Sequence, residues 1–176
     1  MASKKKRPQG IDGKARSPRS LASSSTRRSG SFGAAGSVHI FKSRYTFEHK
    51  DARRAIAGAV GNLKFPFPIR QIKFVEFSAY AVSGRLVAGN HRFKRASGQW
   101  EIIVVLGKSG MTFFKFRHKN YLNDKVFEKD LRGGDIVVVP PGCTMAFIPL
   151  KKGARIIELS NKEYNSKNFV KEMLFN

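Results

Sequence analysis

From residue 69 to residue 160 the chain alternates short apolar segments with turn-forming residues, and this rhythm confines it to layered or closed antiparallel sheet. IRQIKFVEFSAY (69–80), GRLVAGNHRF (84–93), QWEIIVVL (99–106) and GMTFFKFRH (110–118) each read as a strand. DKVFEKDL (124–131), DIVVV (135–139), TMAFI (144–148) and ARIIELS (154–160) continue the series. Between them stand AVSG, RASG, GKSG, RGG, PPG and KKG, whose Gly, Pro and Ser turn a chain over. Many short strands at such spacing make a sandwich or barrel. VHIF (38–41) reads as a further short strand ahead of them. FPFP (65–68) is excluded from a sheet interior, because proline cannot donate to the ladder.

Two segments read differently. HKDARRAIAGAVGN (49–62) has Asp51 as a plausible cap and Ala52, Ile56 and Val60 along one face, which predicts a short helix. NSKNFVKEMLFN (165–176) places Phe169 and Met173 one turn apart, which predicts a terminal helix or an extended clasp. The chain therefore divides into a basic arm (1–36), a linker with a short helix (37–64) and a β domain (65–176).

The arm is a different polymer from the rest. It carries nine Lys or Arg, namely Lys4, Lys5, Lys6, Arg7, Lys14, Arg16, Arg19, Arg27 and Arg28, against one acid, Asp12. Its apolar residues are too sparse to offset the entropy of ordering, so it is expected to be disordered. The whole chain has 34 Lys plus Arg and 12 Asp plus Glu, a formal charge of +22. Such an excess draws polyanions from a distance, and nucleic acid, DNA in particular, is the expected partner. KKKRP (4–8) resembles a nuclear-import signal, so an intracellular location is expected, nuclear in a eukaryote. No apolar run approaches the ~20 residues of a membrane span, and MASKKKRPQG lacks the apolar core of a secretory signal. The single Cys143 excludes an internal disulfide and leaves too few thiols for a zinc ribbon.

Within the strand series, Gly134, Pro140 and Gly142 have the spacing of the second cupin motif, a Gly, five residues, then Pro-x-Gly and, two residues on, a metal-ligating His. Met145 stands at that His position. GNHRF keeps one His of the first motif, His91, with Phe93 in place of its partner. The order of pieces thus resembles a cupin, an all-β double-stranded β-helix or jelly roll. From 65 to about 175 the chain is similar to the cupins of the nucleotide-sugar 3,4-ketoisomerase group. FPFPIRQIKF stands where their barrel opens, AGNHRFK where they show an Arg-Gly-x-His-x-His-Lys run, and LSNKEYNSKNFVKEMLF resembles their ending. Gln99 echoes a Gln of that group. That resemblance implies an enzyme that uses no metal and shuttles a proton beside a carbonyl with imidazoles and an Arg. Here Ala88, Phe93 and Met145 occupy such positions, and Thr144 replaces an aromatic residue. Phe and Met cannot titrate.

The expectation drawn from these departures is a non-catalytic cupin whose interior is filled with apolar side chains. On that reading the protein is a homodimeric scaffold pairing through its sheets. The arm binds nucleic acid, helped on the barrel by Arg92, Lys94 and Arg95, and the site holds neither metal nor cofactor. The design also resembles that of the centromere protein C cupins, non-catalytic dimerisation domains behind basic chromatin-binding sequence. His91 is then an ordinary histidine at the barrel mouth, Glu101 an exposed or ion-paired carboxylate, and Cys143 a small buried residue. The alternative is a ketoisomerase-like enzyme or sugar-nucleotide-binding cupin in which His91 and Tyr80 transfer protons. A further alternative is a jelly-roll coat protein with a genome-binding arm.

Overall fold

A computed structural model of the protein describes residues 36–42, 67–78 and 87–175, together with the backbone of 47–50 and 55–58. Alternating apolar positions fold into two five-stranded antiparallel sheets. The first has the order β1 (His39–Phe41), β9 (Ile136–Val139), β6 (Glu101–Leu106), β11 (Arg155–Ser160), β4 (Gln71–Glu76). The second has the order β12 (Phe169–Lys171), β5 (Ala88–Phe93), β10 (Thr144–Pro149), β7 (Thr112–Lys119), β8 (Val126–Arg132). This double sheet is the expected jelly roll. Among the described residues no helix is long and apolar enough to cross a membrane.

Because side chains alternate across a strand, each sheet sends every second residue inward. Ile103, Val105, Val137, Val139 and Ile156 of the first sheet meet Phe93, Phe114, Phe116, Met145 and Phe147 of the second. The rings of Phe116 and Phe147 lie 4.8 Å apart, and Phe114 meets Phe147 edge-on at 6.0 Å. A smaller cluster of Phe67, Ile102 and Val138, flanked by Trp100 and Leu159, covers part of the first sheet's outer face.

Three expectations are corrected. The described residues within 49–62 are not helical: β2 (Phe47–Lys50) pairs antiparallel with β3 (Ala55–Gly58), and the rest of that segment lies outside the described residues. Gly58 and Gly61 each weaken a helix by about 1 kcal/mol relative to Ala, and the ladder satisfies the backbone instead. The segment 37–64 is not wholly linker, since β1 pairs with β9 and so belongs to the first sheet. The C-terminal segment is the extended clasp. Its one helical turn is a 3-10 turn at Ser166–Asn168, followed by β12, which pairs Phe169 with Phe93 and Lys171 with His91. An aromatic and β-branched pair, Phe169-Val170, suits an edge of the sheet better than a helix.

Candidate functional site

The Gly134/Pro140/Gly142 motif does its work in the turn before β10. Gly142 has φ 88°, and a Cβ there would sit 2.9 Å from the Tyr121 ring. With the turn so fixed, β10 delivers Met145 inward, buried, between His91 of β5 and His118 of β7. The β5–β10 register slips between Met145 and Ala146. Gly89 allows the slip: its φ is 83°, and a Cβ would lie 2.8 Å from the Met145 carbonyl. Phe93 and Met145 are thus interior apolar groups, as expected. His118 is stacked between Phe116 (5.5 Å) and Phe127 (5.1 Å), and burial pushes its pKa down to about 4, so it is a neutral core residue.

One end of the interior is not filled. A cavity of about 470 Å³ opens there, lined by Lys73, Asn90, His91, Glu101, Glu158, Tyr164, Phe169 and Lys171 among others. The three charged groups at its base come from neighbouring strands of the first sheet. Lys73 shares a face with Val75 on β4, Glu101 with Ile103 on β6, and Glu158 with Ile156 on β11, so all three face inward. Lys73 Nζ lies 2.5 Å from Glu158 Oε2 and 3.5 Å from Glu101 Oε1. Burial tends to lower the Lys73 pKa, but Glu101 and Glu158 outweigh it and hold the ammonium above its ordinary value. Glu101, only 2% exposed, is driven the other way from a normal carboxylate. Burial first, then the charge of Glu158, raises it to about 8 against the pull of Lys73. Its Oε2 has no hydrogen-bond partner among the described residues.

His91 faces this group from β5. Burial lowers its pKa, so the ring is neutral at pH 7. One ring nitrogen is held by the Gly89 backbone, and Nε2 has no partner. The Gly89 contact favours the Nδ1–H tautomer, which leaves the Nε2 lone pair available. Phe93 and Phe169 pack edge-on against the imidazole at 5.4 and 4.9 Å and fix its plane. Tyr164 extends the aromatic wall outward, 5.2 Å from Phe169. Among the described residues no three His, Cys, Asp or Glu cluster as metal ligands.

These placements correct the reading of a plugged barrel. The plug of Phe93 and Met145 is real but stops short of the mouth, where the His91 imidazole, the buried Glu101 carboxyl, the Lys73 ammonium and the Glu158 carboxylate converge. Glu101 does not face solvent; it pairs with a basic side chain, Lys73, at 3.5 Å, inside the cavity. Lys73 and Glu158 were missed although each shares a strand face with an apolar residue two positions away, Val75 and Ile156, which marks them as inward-facing. Tyr80 and the arm residues Lys4, Lys5, Lys6, Arg7, Lys14, Arg16, Arg19, Arg27 and Arg28 lie outside the described residues. Cys143 is buried, and its thiol donates to the Gly36 carbonyl at 3.3 Å.

Of the three bases expected to extend a cationic surface onto the barrel, Arg92 is half-buried, and Lys94 and Arg95 are exposed. Arg92 Nε is 3.3 Å from Glu172, and Arg95 donates to the Tyr121 hydroxyl at 3.0 Å while lying over its ring. Lys94 remains exposed. The cavity of about 360 Å³ beside Arg92 is balanced internally, since its Lys119 is held by Glu172 at 2.7 Å and Asp124 at 3.0 Å.

No protein-family model matches the chain, and no curated protein matches its sequence. Solved structures do match in fold. One is the 3,4-ketoisomerase QdtA of Thermoanaerobacterium thermosaccharolyticum in complex with TDP, at 15% identity and TM-score 0.56, covering 77% of this chain and 88% of that one. A second is the TDP-quinovose 3,4-ketoisomerase WlaRB of Campylobacter jejuni, at 12% identity and TM-score 0.56, covering 77% and 92%. A third is the 3'-monoepimerase ChmJ of Streptomyces bikiniensis in complex with dTDP-quinovose, at 14% identity and TM-score 0.57, covering 75% and 67%. Two inward-facing antiparallel sheets, the Gly-Pro-Gly turn and these neighbours together make the protein a cupin in fold.

Proposed function

We propose that this protein binds a nucleoside diphosphate keto-sugar at the barrel mouth and moves a proton between adjacent sugar carbons. One observation carries the reading: His91 and Glu101 line one cavity with pKa values pushed in opposite directions, a base kept neutral and an acid kept protonated. Environments that drive two titratable groups apart in this way assign acid and base roles. The fold neighbours that are TDP-sugar isomerases and an epimerase support the same substrate class.

His91 Nε2 takes the proton from the carbon bearing a hydroxyl beside the carbonyl, while Glu101 gives its proton to the carbonyl oxygen. The result is a neutral enediol, a deprotonated Glu101 and a protonated His91. Glu101 then takes the proton from the original hydroxyl oxygen as His91 returns its own to the former carbonyl carbon. The carbonyl has moved by one carbon and both side chains are restored. Lys73 stabilises Glu101 in its transient carboxylate form and is itself held by Glu158. Lys171, exposed at the rim opposite His91, is placed to meet a phosphate where Ala88 supplies no cation.

The test is incubation with TDP-4-keto-6-deoxyglucose in D2O, followed by NMR. Deuterium should enter C4 of the 3-keto product, once the proton held by His91 exchanges with solvent, and C3 of substrate re-formed by the reverse reaction, and His91→Ala should slow both by about 10²-fold or more. The rate should rise with pH as His91 loses its proton below 6.5 and fall near pH 8 as Glu101 ionises. Absence of both turnover and TDP binding by calorimetry would remove this reading.

The formal charge of +22 supports a second one, in which the basic arm holds nucleic acid. It does not require an empty catalytic site, so the two readings are compatible on one chain.

A further inference from the structure

The strand registers bring three turns together at the end of the barrel opposite the cavity. β6 starts at Glu101, in the cavity, and ends at Leu106, which pairs with Arg155 at the start of β11. β7 starts at Thr112, which pairs with Arg132 at the end of β8, and Phe114 pairs with Pro149 at the end of β10. The turns that close this end are therefore 107–111, 133–135 and 150–154. Backbone bonds hold them to one another. Gly133 N donates to the Met111 carbonyl at 3.0 Å, and Leu150 N to the Phe113 carbonyl at 2.9 Å. The approach is so close that a Cβ on Gly133 would lie 2.4 Å from the Lys108 carbonyl oxygen. This end of the barrel is thus a built platform.

Its surface combines two chemistries. Lys108, Arg132, Lys151, Lys152 and Arg155 are all exposed there. The exposed acids on the adjoining strand ends are Glu76, level with Arg155, and Asp130, two residues before Arg132. Asp135 is buried beneath them and accepts from Arg132 N at 2.9 Å and Lys42 Nζ at 3.3 Å. Five exposed bases against two exposed acids leave an excess of three positive charges. Among the described residues no carboxylate pairs with Lys108, Lys151 or Lys152. Beside these cations Met111 and Leu150 are 39% and 41% exposed, on two adjoining turns. A nucleic-acid backbone rewards the cations but gains little from apolar side chains at the apices. An anionic bilayer takes both, drawing Lys and Arg to its headgroups and apolar side chains to the acyl boundary. We infer that this end of the barrel docks on an anionic lipid surface. Lys108, Lys151 and Lys152 meet the headgroups, and Met111 and Leu150 enter between them. The cavity then opens away from the bilayer, so docking leaves its ligand access free.

Cosedimentation of the full chain with lipid vesicles tests the docking. The protein should bind phosphatidylcholine vesicles containing roughly one-third phosphatidylserine, and phosphatidylcholine alone only weakly. The variant K151E/K152E should lose affinity for the anionic vesicles by about tenfold or more. Lys125, just ahead of β8, and Lys167, in the 3-10 turn, are exposed at the opposite end. K125E/K167E makes the same change in net charge there and should alter binding by less than about twofold. M111S/L150S leaves the charge unchanged and should still weaken binding by about fivefold. The arm is present in all three variants, so its own attraction for anionic lipid is common to them. Equal losses in the two charge variants would assign the binding to net charge and overturn the inference. An M111S/L150S protein that binds like the natural one would do the same. So would a K151E/K152E protein that loses affinity for duplex DNA and keeps it for vesicles, which would make this end a nucleic-acid surface. None of these readouts depends on turnover, so failure of the catalytic reading leaves them intact.

Discussion

Burial acts in opposite senses on a carboxyl and an imidazole, because it penalises whichever form is charged. Glu101 and His91 show both senses within one cavity, and the consequence reaches stability as well as chemistry. Glu101 has a folded pKa of about 8, well above the 4.5 of an unfolded glutamate. The folded state therefore binds the extra proton between those values, and stability falls as pH rises from about 4.5 to 8. Glu101→Gln keeps the shape and removes the titration. Urea unfolding followed by Trp100 fluorescence should show that slope in the natural protein and a flatter profile in the variant. A variant that kept the full slope would mean another group is responsible. The same residue shows what could be read in advance. In QWEIIVVL, Glu101 shares parity with Ile103 and Val105, which is enough to place it inside. The general aversion of carboxylates to interiors argued for the opposite, and local parity proved the better guide.

At the scale of elements, strand boundaries were legible because turn residues flank nearly every strand, and the Gly134–Gly142 spacing located the turn before β10. The C-terminal clasp was less legible, since its partners lie far away in sequence. Asn90 is the hinge of that arrangement. It adopts φ 53°, and its side-chain Oδ1 accepts from Leu174 N at 2.9 Å and Phe175 N at 3.4 Å. Arg117 completes the hold by donating to the Leu174 carbonyl at 2.9 Å and lying 4.3 Å over the Phe175 ring. Asn90→Ala leaves two amides unpaired and strains a left-handed backbone, so it should cost about 2–3 kcal/mol in denaturant unfolding. Asn90→Gly relieves the backbone and loses only the bonds, so it should cost less. Equal losses would show that the backbone conformation is not strained. Because the clasp follows β12, which bears Phe169 and Lys171, both variants should also loosen the cavity wall and weaken TDP binding.

For the whole molecule, charge and cavity make separate demands, and they can be measured separately. Charge pairing at Glu128 and Glu172 neutralises part of the barrel surface, whereas the arm's nine bases face a single acid. If the arm holds nucleic acid, replacing Lys4, Lys5, Lys6 and Arg7 with Gln should weaken duplex DNA binding. It should also reduce the slope of log K against log salt by up to about 3.6, at roughly 0.9 per lost phosphate contact. Fluorescence anisotropy over a salt series measures both quantities. If TDP binds at the barrel mouth as proposed, it should keep its affinity in that variant and in the presence of saturating duplex. Competition between DNA and TDP would place both on one surface and make the cavity part of a polyanion site. An unchanged salt slope would instead take the arm out of the interface and leave the excess charge to electrostatic steering of small anions toward the mouth, visible as a salt-dependent TDP on-rate.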